Sequence, residues 1–471
     1  MDRSFDFVVV GNNAAALVSA LELARGNHET CLINPHSNWG GHFSGIANGQ
    51  HFFDHGMTFF EFTSFHDPSK DILSYDPKVR NDSGRFFKFT EQYVRQRVDC
   101  VEVPTPKVYF NGTYADDFVI SNRFQILQKI HPALRVPLQE ELEAICASGD
   151  RTYHASNKLK NEAAFLEANY EFVAKSNHGQ TFHRAFLEPL IDKIIGRDPT
   201  DIPALFHRMV WAPLFYGETL FSQFTEHPQQ LPTTRFHYPS SGYFGRFIDT
   251  LLEEAKDCTK LAIITEAIDT IDSDSGYHIH GHNGASIKPG KLIWSTTMNL
   301  LLKAFEGFQD KRQPDQTLIS IVLVLMDTSK LLHKFSTLFI IDRDICAYRM
   351  TNQTYCGRRE DSQSKIVVEF NSDYLRRMGI IDERGLKDHV MELFVKIGLV
   401  RSKDDAGVVL QVLAVPWNLP TLTNYHHYMK LSGSVQEKYG TIERLAPSAS
   451  FAATSLNDQI IQGLKIGKQY G

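Results

Sequence analysis

Phe5-Asp6-Phe7-Val8-Val9-Val10 runs directly into Gly11-Asn12-Asn13-Ala14-Ala15-Ala16. The first six residues are short, apolar and β-branched, which predicts a buried parallel strand. Leu17, Ala20, Leu21, Leu23 and Ala24 then recur at helical spacing up to Gly26, and Thr30-Cys31-Leu32-Ile33 predicts a second strand. Strand, tight turn, helix and strand within about thirty residues make the unit that sets a dinucleotide pyrophosphate on a helix N-terminus. That chemistry needs small residues at three points: for the turn, for approach of backbone to phosphate, and for helix-on-strand packing. Gly11 takes the first and Ala16 the third. Asn13 stands at the second, where a left-handed backbone is expected, which asparagine tolerates. Asn12, Ala14 and Ala15 complete the candidate phosphate turn. Asn34 closes the second strand, where a carboxylate normally takes a ribose hydroxyl; an amide can accept that hydroxyl without the charge. This weakens a nicotinamide reading and leaves flavin adenine dinucleotide (FAD) open.

The chain has 471 residues, enough for about three domain-sized units, or two with one interrupted by the other. Hydrophobic residues make up 42 %, which excludes global disorder. A net charge of −6 argues against nucleic acid as the main partner. No run of about 18 uncharged apolar residues is present, so no membrane span is expected. The six cysteines form no CxxC pair, so neither a disulfide framework nor a zinc ribbon is expected. Phe7–Val10 is too short for a signal peptide. The expectation is a globular cytoplasmic enzyme.

Further along stand Asn34-Pro35, Trp39-Gly40-Gly41-His42 and Asp54-His55-Gly56-Met57. A paired glycine after the second strand, then a strand ending in an acidic residue, a spacer and a glycine, resembles the FAD-dependent amine oxidase, protoporphyrinogen oxidase, phytoene desaturase and UDP-galactopyranose mutase superfamily. Tyr238-Pro239-Ser240-Ser241-Gly242, the helix-like run Gly245–Lys256 and the strand about Ile263–Ile271 resemble the same superfamily, as do Lys291–Thr297 and the closing segment Arg444-Leu445 … Thr454-Ser455-Leu456-Asn457. The resemblance implies an α/β fold: a discontinuous, Rossmann-like, glutathione-reductase-like FAD-binding domain with an inserted mixed α+β substrate domain. It implies residues 1–65, 235–300 and 431–471 for the first domain, and 66–234 and 301–430 for the second. It further implies FAD contacts at Ala267 on the adenine side, at Ser295 and Thr296 on the re-entering strand, at Arg444 near the flavin and pyrophosphate, and at a helix capped by Thr454 or Ser455 whose free N–H groups face the flavin.

Between the cofactor segments, Arg123–Ile130, Gln139–Ala147 and Glu162–Lys175 predict helices, with Pro137 as punctuation. Lys193–Gly196 resembles a K-x-x-G stretch of the mutases. Cys346–Asn352 and Lys365–Phe370 predict paired strands, and Arg349 on the first is the favoured substrate anchor, because a guanidinium holds phosphate or carboxylate through two parallel bonds. Trp417, ending the strand Val408–Val415, is placed either against a ring or in the core. His55 is a candidate base beside the flavin. Tyr425-His426-His427-Tyr428 either line the site or form a loop. His278, His280 and His282 sit at period two on one strand, but without nearby acidic or cysteine ligands no metal is expected.

The leading reading is an FAD-dependent oxidoreductase moving a hydride from a small molecule to flavin N5. The alternative is a non-redox sugar-nucleotide mutase working with reduced FAD, and a third is a flavin-binding scaffold. Expected partners are a small-molecule substrate, sugar nucleotide or amine, and a second copy of the chain in a homodimer.

Overall fold

The computed structural model describes residues 3–62, 67–78, 82–154, 157, 160–226, 228–231, 235–273, 276–308, 310–451 and 455–471. The opening segment folds as its pattern requires. Strand β1 (Arg3–Val10), helix α1 (Ala14–Arg25) and strand β2 (Thr30–Asn34) follow one another, and β1 and β2 pair in parallel from Phe7↔Thr30 to Val10↔Ile33. Every residue of β2 is buried, as are Val8, Val9 and Val10. This is the near-continuous apolar run that a strand covered on both faces demands.

Leu261–Thr265 adds in parallel beyond β2, and Ser286–Trp294 in parallel on the other side of β1. Ile268–Asp272 and His278–Gly281 extend the sheet as an antiparallel meander, and the short strand Glu443–Arg444 pairs in parallel with Ile293 and Trp294. The C-terminal helix Leu456–Tyr470 lies on α1 at close range. A Cβ on Gly463 would stand 2.6 Å from Val18 Cβ, and one on Gly467 would overlap Glu22 Cβ. The helix therefore continues past Gly463, where the sequence pattern stopped, and its two glycines permit the contact.

A second seven-stranded sheet runs in the order Val408–Asn418, Gln316–Asp327, Gln363–Asn371, Arg349–Asn352, Thr337–Ile340, Lys107–Phe110, Thr113–Asp116. Side chains alternate between two cores. Ile321, Leu323, Phe339 and Val367 face a helical layer that includes Phe118, Phe182, Phe186 and Phe215. Val322, Val324, Val368 and Phe370 face helix Glu383–Lys396. A three-stranded sheet, Phe60–Glu61, Phe236–Pro239 and Cys100–Glu102, crosses between the large sheets.

Several elements differ from the sequence expectation. Pro137 does not punctuate: it lies inside helix Pro132–Ser148, which begins at the cap His131. Glu162–Lys175 is two helices, Glu162–Glu167 and Tyr170–His178, because Asn169 caps the second. Arg123–Ile130 shortens to the single turn Gln125–Gln128. Strand Val408–Asn418 runs through Pro416, which an edge strand can accept because its missing N–H faces no partner. Tyr425 to Tyr428 belong to helix Leu422–Tyr439 rather than a loop, and that helix spans the 430/431 domain boundary. Among the described residues no helix is long and apolar enough to cross a membrane.

Candidate functional site

The turn after β1 is built by exclusion. A Cβ on Gly11 would lie 2.9 Å from both Cβ and O of Ser295 and 3.1 Å from Ala16 Cβ, so no larger residue fits. Asn13 is not left-handed: its φ of −89° is extended, and it is the N-cap of α1. Its Oδ1 accepts from Ala16 N at 3.1 Å and from Ser295 Oγ at 2.8 Å, and its Nδ2 donates to Ser295 O at 2.5 Å. The amide thus turns toward Ser295, and capping, not glycine-like backbone freedom, explains the residue. Ala14 N–H meets Gln459 Oε1 at 3.2 Å. With Ala16 N–H also taken, Ala15 N–H is the open donor of the first turn among the described residues. A cleft of about 620 Å³ opens beside this turn, with Asn12, Asn13, His36, Ser295, Thr296 and Pro447 among its walls.

Asn34 is buried, and its amide serves the following loop: Oδ1 accepts from His36 N at 2.8 Å and Nδ2 donates to Asn38 O at 3.0 Å. Asn12 Nδ2 donates to the same carbonyl. Pro35 and Trp39 lie in this loop, and Trp39 packs on the core of the first sheet. Gly40 is left-handed (φ 89°), sits 2.6 Å from Asn12 through its N–H to the Asn12 carbonyl, and a Cβ there would press on Ile248 at 3.0 Å. Gly41 is left-handed as well (φ 56°), but a Cβ there would meet nothing within 4 Å. The paired glycines therefore face opposite conditions, packing and open space.

Asp54 is a staple. Its carboxylate accepts from Tyr238 Oη and, at 3.0 Å, from Phe244 N, while Gln353 Nε2 donates to the same tyrosine oxygen at 3.0 Å. Burial raises its pKa to about 6. Lys365 Nζ, nearby, donates to Phe52 O and Gly242 O. This staple holds the next residues against the second sheet. Gly56 (φ 99°) leaves room for the Glu369 carboxyl, which a Cβ would approach to 2.6 Å, and Met57 packs in the core beside Ile46 and Phe53.

Glu369 meets Arg349 in register across paired strands. Arg349 Nε and NH2 bond its two oxygens at 2.7 and 2.6 Å, and both residues are buried. Burial opposes the guanidinium charge, but Glu369 outweighs it and holds the Arg349 pKa above its ordinary value. Arg349 is thus engaged within the protein, and the anchor expected from the sequence is one half of an ion pair. Beside the pair lies His42, its ring 6.1 Å from that of His55. His42 is exposed at its surface yet enclosed by neighbouring protein, which lowers its pKa to about 4; neighbouring His55 adds to the effect. His55 binds Ser44 O at 2.9 Å through Nδ1, and burial lowers its pKa too.

Beside Arg349 stand residues the sequence did not single out. The Trp211 ring stands 5.5 Å from the Arg349 guanidinium. Trp211 is 38 % exposed and left-handed (φ 54°), an outlier for a bulky residue and of the kind that collects at functional sites. It ends the 3-10 turn Ala204–Val210, which carries the exposed Arg208. Phe206 of that turn packs on Phe451 at 5.0 Å, just ahead of the C-terminal helix. Ser455 caps that helix by accepting from Asp458 N; Thr454 lies outside the described residues. Asn457 Nδ2 donates to Glu61 O at 2.8 Å, and Leu456 is buried. Glu61 is exposed at its surface, enclosed by neighbouring protein, and raised in pKa by burial, with Arg208 acting in the opposite sense.

The remaining sequence candidates have their own partners. Arg444 contacts Ser432 Oγ and Gln436 Oε1 of helix Leu422–Tyr439. Ala267 O accepts from His282 N at 2.9 Å. Trp417 is half-buried against the helical core from the edge strand. Lys193 is fully buried, its Nζ on the carbonyls of Ile340, Asp342 and Ala347, a tie between helix Glu188–Ile195 and the second sheet. His280 and His282 bond Asp272 and Asp269 on the surface, and no metal-holding cluster is present among the described residues. Glu369 was within reach of the sequence, since pairing the two predicted strands sets it opposite Arg349. Trp211, Arg208 and Glu61 carry no motif.

No family model matches the sequence, and no curated protein matches it by sequence. Solved structures do. A reduced UDP-galactopyranose mutase matches at 14 % identity over 99 % of this chain and 93 % of that one, with a TM-score of 0.69. A protein assigned as a protoporphyrinogen oxidase from Exiguobacterium sp. 255-15 matches at 12 % identity over 100 % and 98 %, with a TM-score of 0.64. Putrescine oxidase bound to putrescine matches at 10 % identity over 100 % and 98 %, with a TM-score of 0.60. At these identities the likeness is one of fold: the chain shares the fold of the mutase and oxidase structures whose group its dispersed motifs resemble.

Proposed function

We propose that this chain is an FAD-dependent oxidoreductase of the amine-oxidase-like group. The observation that carries the reading is convergence: Asn12, Asn13, Ser295 and Thr296 line one cleft of about 620 Å³ beside the Gly11 turn, and the Ser455-capped C-terminal helix reaches the same turn through Gln459, which accepts from Ala14 N. The residues suit the cofactor. Gly11 and the N-terminus of α1 offer a backbone approach and an open N–H at Ala15 for a pyrophosphate. Gly41 leaves space where a side chain would stand. The Ser455-capped helix presents its positive end beside Asn457. In this reading residues 1–65, 235–300 and 431–471 form the Rossmann-like cofactor domain, and 66–234 with 301–430 form the substrate domain.

Bound FAD supplies the electron acceptor for a hydride leaving a C–N or C–C bond. The protein supplies position. The Asp54 staple and the Arg349–Glu369 pair fix Gly56 and its neighbours. His42 and His55, with pKa values lowered by burial, are held neutral and keep positive charge off the wall. Protein purified from a flavin-replete host is expected to be yellow, and anaerobic mixing with a substrate to bleach it. Colour that persists across amines, amino acids and sugar nucleotides overturns the oxidoreductase reading.

The second reading, a non-redox mutase of sugar nucleotides that uses reduced FAD, is favoured by the fold match with the reduced mutase at a TM-score of 0.69. It requires activity only after dithionite reduction and no net electron consumption. Turnover by the oxidised protein with peroxide release eliminates it.

A further inference from the structure

A second cavity of about 620 Å³ lies apart from the cleft at the Gly11 turn, and no residue lines both. Its walls come from places far apart in the chain: Pro104, the segment from Thr328 to Lys334, and the segment from Asn352 to Ser364 that leads from strand Arg349–Asn352 into Gln363–Asn371. Several polar groups of the wall already satisfy one another. Arg359 and Asp361 meet through two bonds of 2.7 and 3.0 Å, and Thr328 Oγ1 and Ser364 Oγ share one of 3.0 Å. The groups left over are mostly donors. Asn352 is only 2 % exposed; its Oδ1 accepts from Tyr355 N at 3.1 Å, and its Nδ2 has no partner among the described residues. An unused N–H on a buried amide at a cavity wall is costly until an acceptor meets it. Arg358 is left-handed (φ 53°), a backbone that a long side chain rarely adopts and that collects at functional sites. Its Nε donates to Glu102 O at 2.8 Å, and its two terminal nitrogens have no partner among the described residues. The same holds for Tyr355 Oη and Lys334 Nζ. On this wall Glu360 is the open carboxylate, so Lys334 and Arg358 against Glu360 leave one net positive charge.

We propose that this cavity binds a small organic phosphomonoester, with its phosphate on Arg358, Lys334, Asn352 and Tyr355. A guanidinium, an ammonium, an amide and a phenol are all donors here; a carboxylate offers them two oxygens and a phosphate offers three. The volume exceeds what phosphate alone fills, and Pro104 and Leu331 give the rest of the molecule an apolar wall. One net positive charge suits one phosphate, whereas a diphosphate or triphosphate brings further negative charge against Glu360. The site is joined to the Asp54 staple: Gln353, next to Asn352, donates to the Tyr238 oxygen that bonds Asp54. It shares no residue with the candidate cofactor cleft, so binding here is read independently of the FAD proposal.

The test is calorimetric titration of the full chain. The probes are phenyl phosphate, glucose-6-phosphate and glycerol-3-phosphate, with phenol, glucose, glycerol, benzoate and inorganic phosphate as comparisons. At least one ester is expected to bind about 10-fold more tightly than inorganic phosphate or benzoate, while its counterpart without phosphate gives no heat. Arg358→Gln and Lys334→Gln, both at exposed side chains, are each expected to weaken that ester by about 10-fold. Asn352→Asp keeps the oxygen that caps Tyr355 N but replaces the open donor with a charge, and is expected to weaken it by about 100-fold. Glu360→Gln is expected to tighten it by about 2- to 5-fold. The proposal is overturned if no ester binds at concentrations up to about 10 mM, or if inorganic phosphate or benzoate binds as tightly as the best ester. It is overturned as well by an ester whose Kd is unchanged in Arg358→Gln and Asn352→Asp, or by one that excess FAD displaces, since either result puts the ligand at another site. The probe comparisons and the FAD competition need no variant, so they decide the matter even where a variant folds poorly.

Discussion

Two pairs of opposite charge differ in burial and in contact. Arg349 and Glu369 face each other in strand register, are buried, and meet through two hydrogen bonds. Arg208 and Glu61 come from a 3-10 turn and a two-residue strand, are exposed, and do not meet. The first pair is a structural element that supports Gly56. In the second, Arg208 acts on Glu61 only across a gap, without a hydrogen bond. An arginine on a strand is therefore a poor guide to substrate binding until its nearest carboxylate is known. The residue that sequence pattern favoured is closed, and the one that pattern passed over is open.

Breaking the closed pair gives the largest effect. Glu369→Ala leaves a buried guanidinium unpaired and is expected to cost about 3–5 kcal/mol, read as a lowered denaturant midpoint. The double variant Arg349→Met with Glu369→Met should recover most of it, because no unpaired charge is left behind. Equal losses in the single and double variants would show that the pair is open like its neighbour.

Gly56→Ala tests the same pair from the other side. The added Cβ would stand 2.6 Å from the Glu369 carboxyl, in a left-handed backbone. A loss of about 1–3 kcal/mol is expected, together with a weaker hold on FAD, measured by the fraction of yellow protein after dialysis. Gly41→Ala, where a Cβ meets nothing, should cost stability only through its backbone and so cost less.

The pH dependence sharpens the contrast at His42. Its pKa falls from 6.5 to about 4 in the folded chain. The folded state therefore binds this proton less readily than the unfolded chain does. The stability tied to the neutral ring is present above about pH 6.5 and is lost as pH falls toward about 4. His42→Phe should flatten that limb of the stability profile; an unchanged limb would mean that other groups govern it.

The smallest effect belongs to the surface. His280 bonds Asp272 in the open, and His280→Ala should shift stability by about 0.5 kcal/mol or less and leave zinc uptake at background. A larger change would promote this strand to the class of the buried pair.

What was legible in the sequence is what backbone chemistry dictates. A β-branched run, a glycine that a serine backbone crowds, and an alanine-rich helix located β1, α1 and β2 to within about three residues at each end, because each is a local demand. Asn13 is a capping amide in extended backbone, so the tolerance of positive φ that the sequence pattern invoked is not what the position uses. Lys193 matched a motif and turned out to be an interior tie, since three carbonyls from a distant loop consume its donors. Trp211, Arg208 and Glu61 were illegible because their meaning depends on residues far away in the chain and on a backbone angle that composition does not encode.

The seating of the C-terminal helix on α1 has a consequence for biogenesis. Ala14 bonds Gln459 across 445 positions, and Val18 and Glu22 are covered by Gly463 and Gly467. At about 5–20 residues per second, a ribosome takes on the order of 20–90 s to deliver the covering segment after the first helix has emerged. For that interval the alanine-rich face of the nascent unit lacks the helix that covers it in the folded chain.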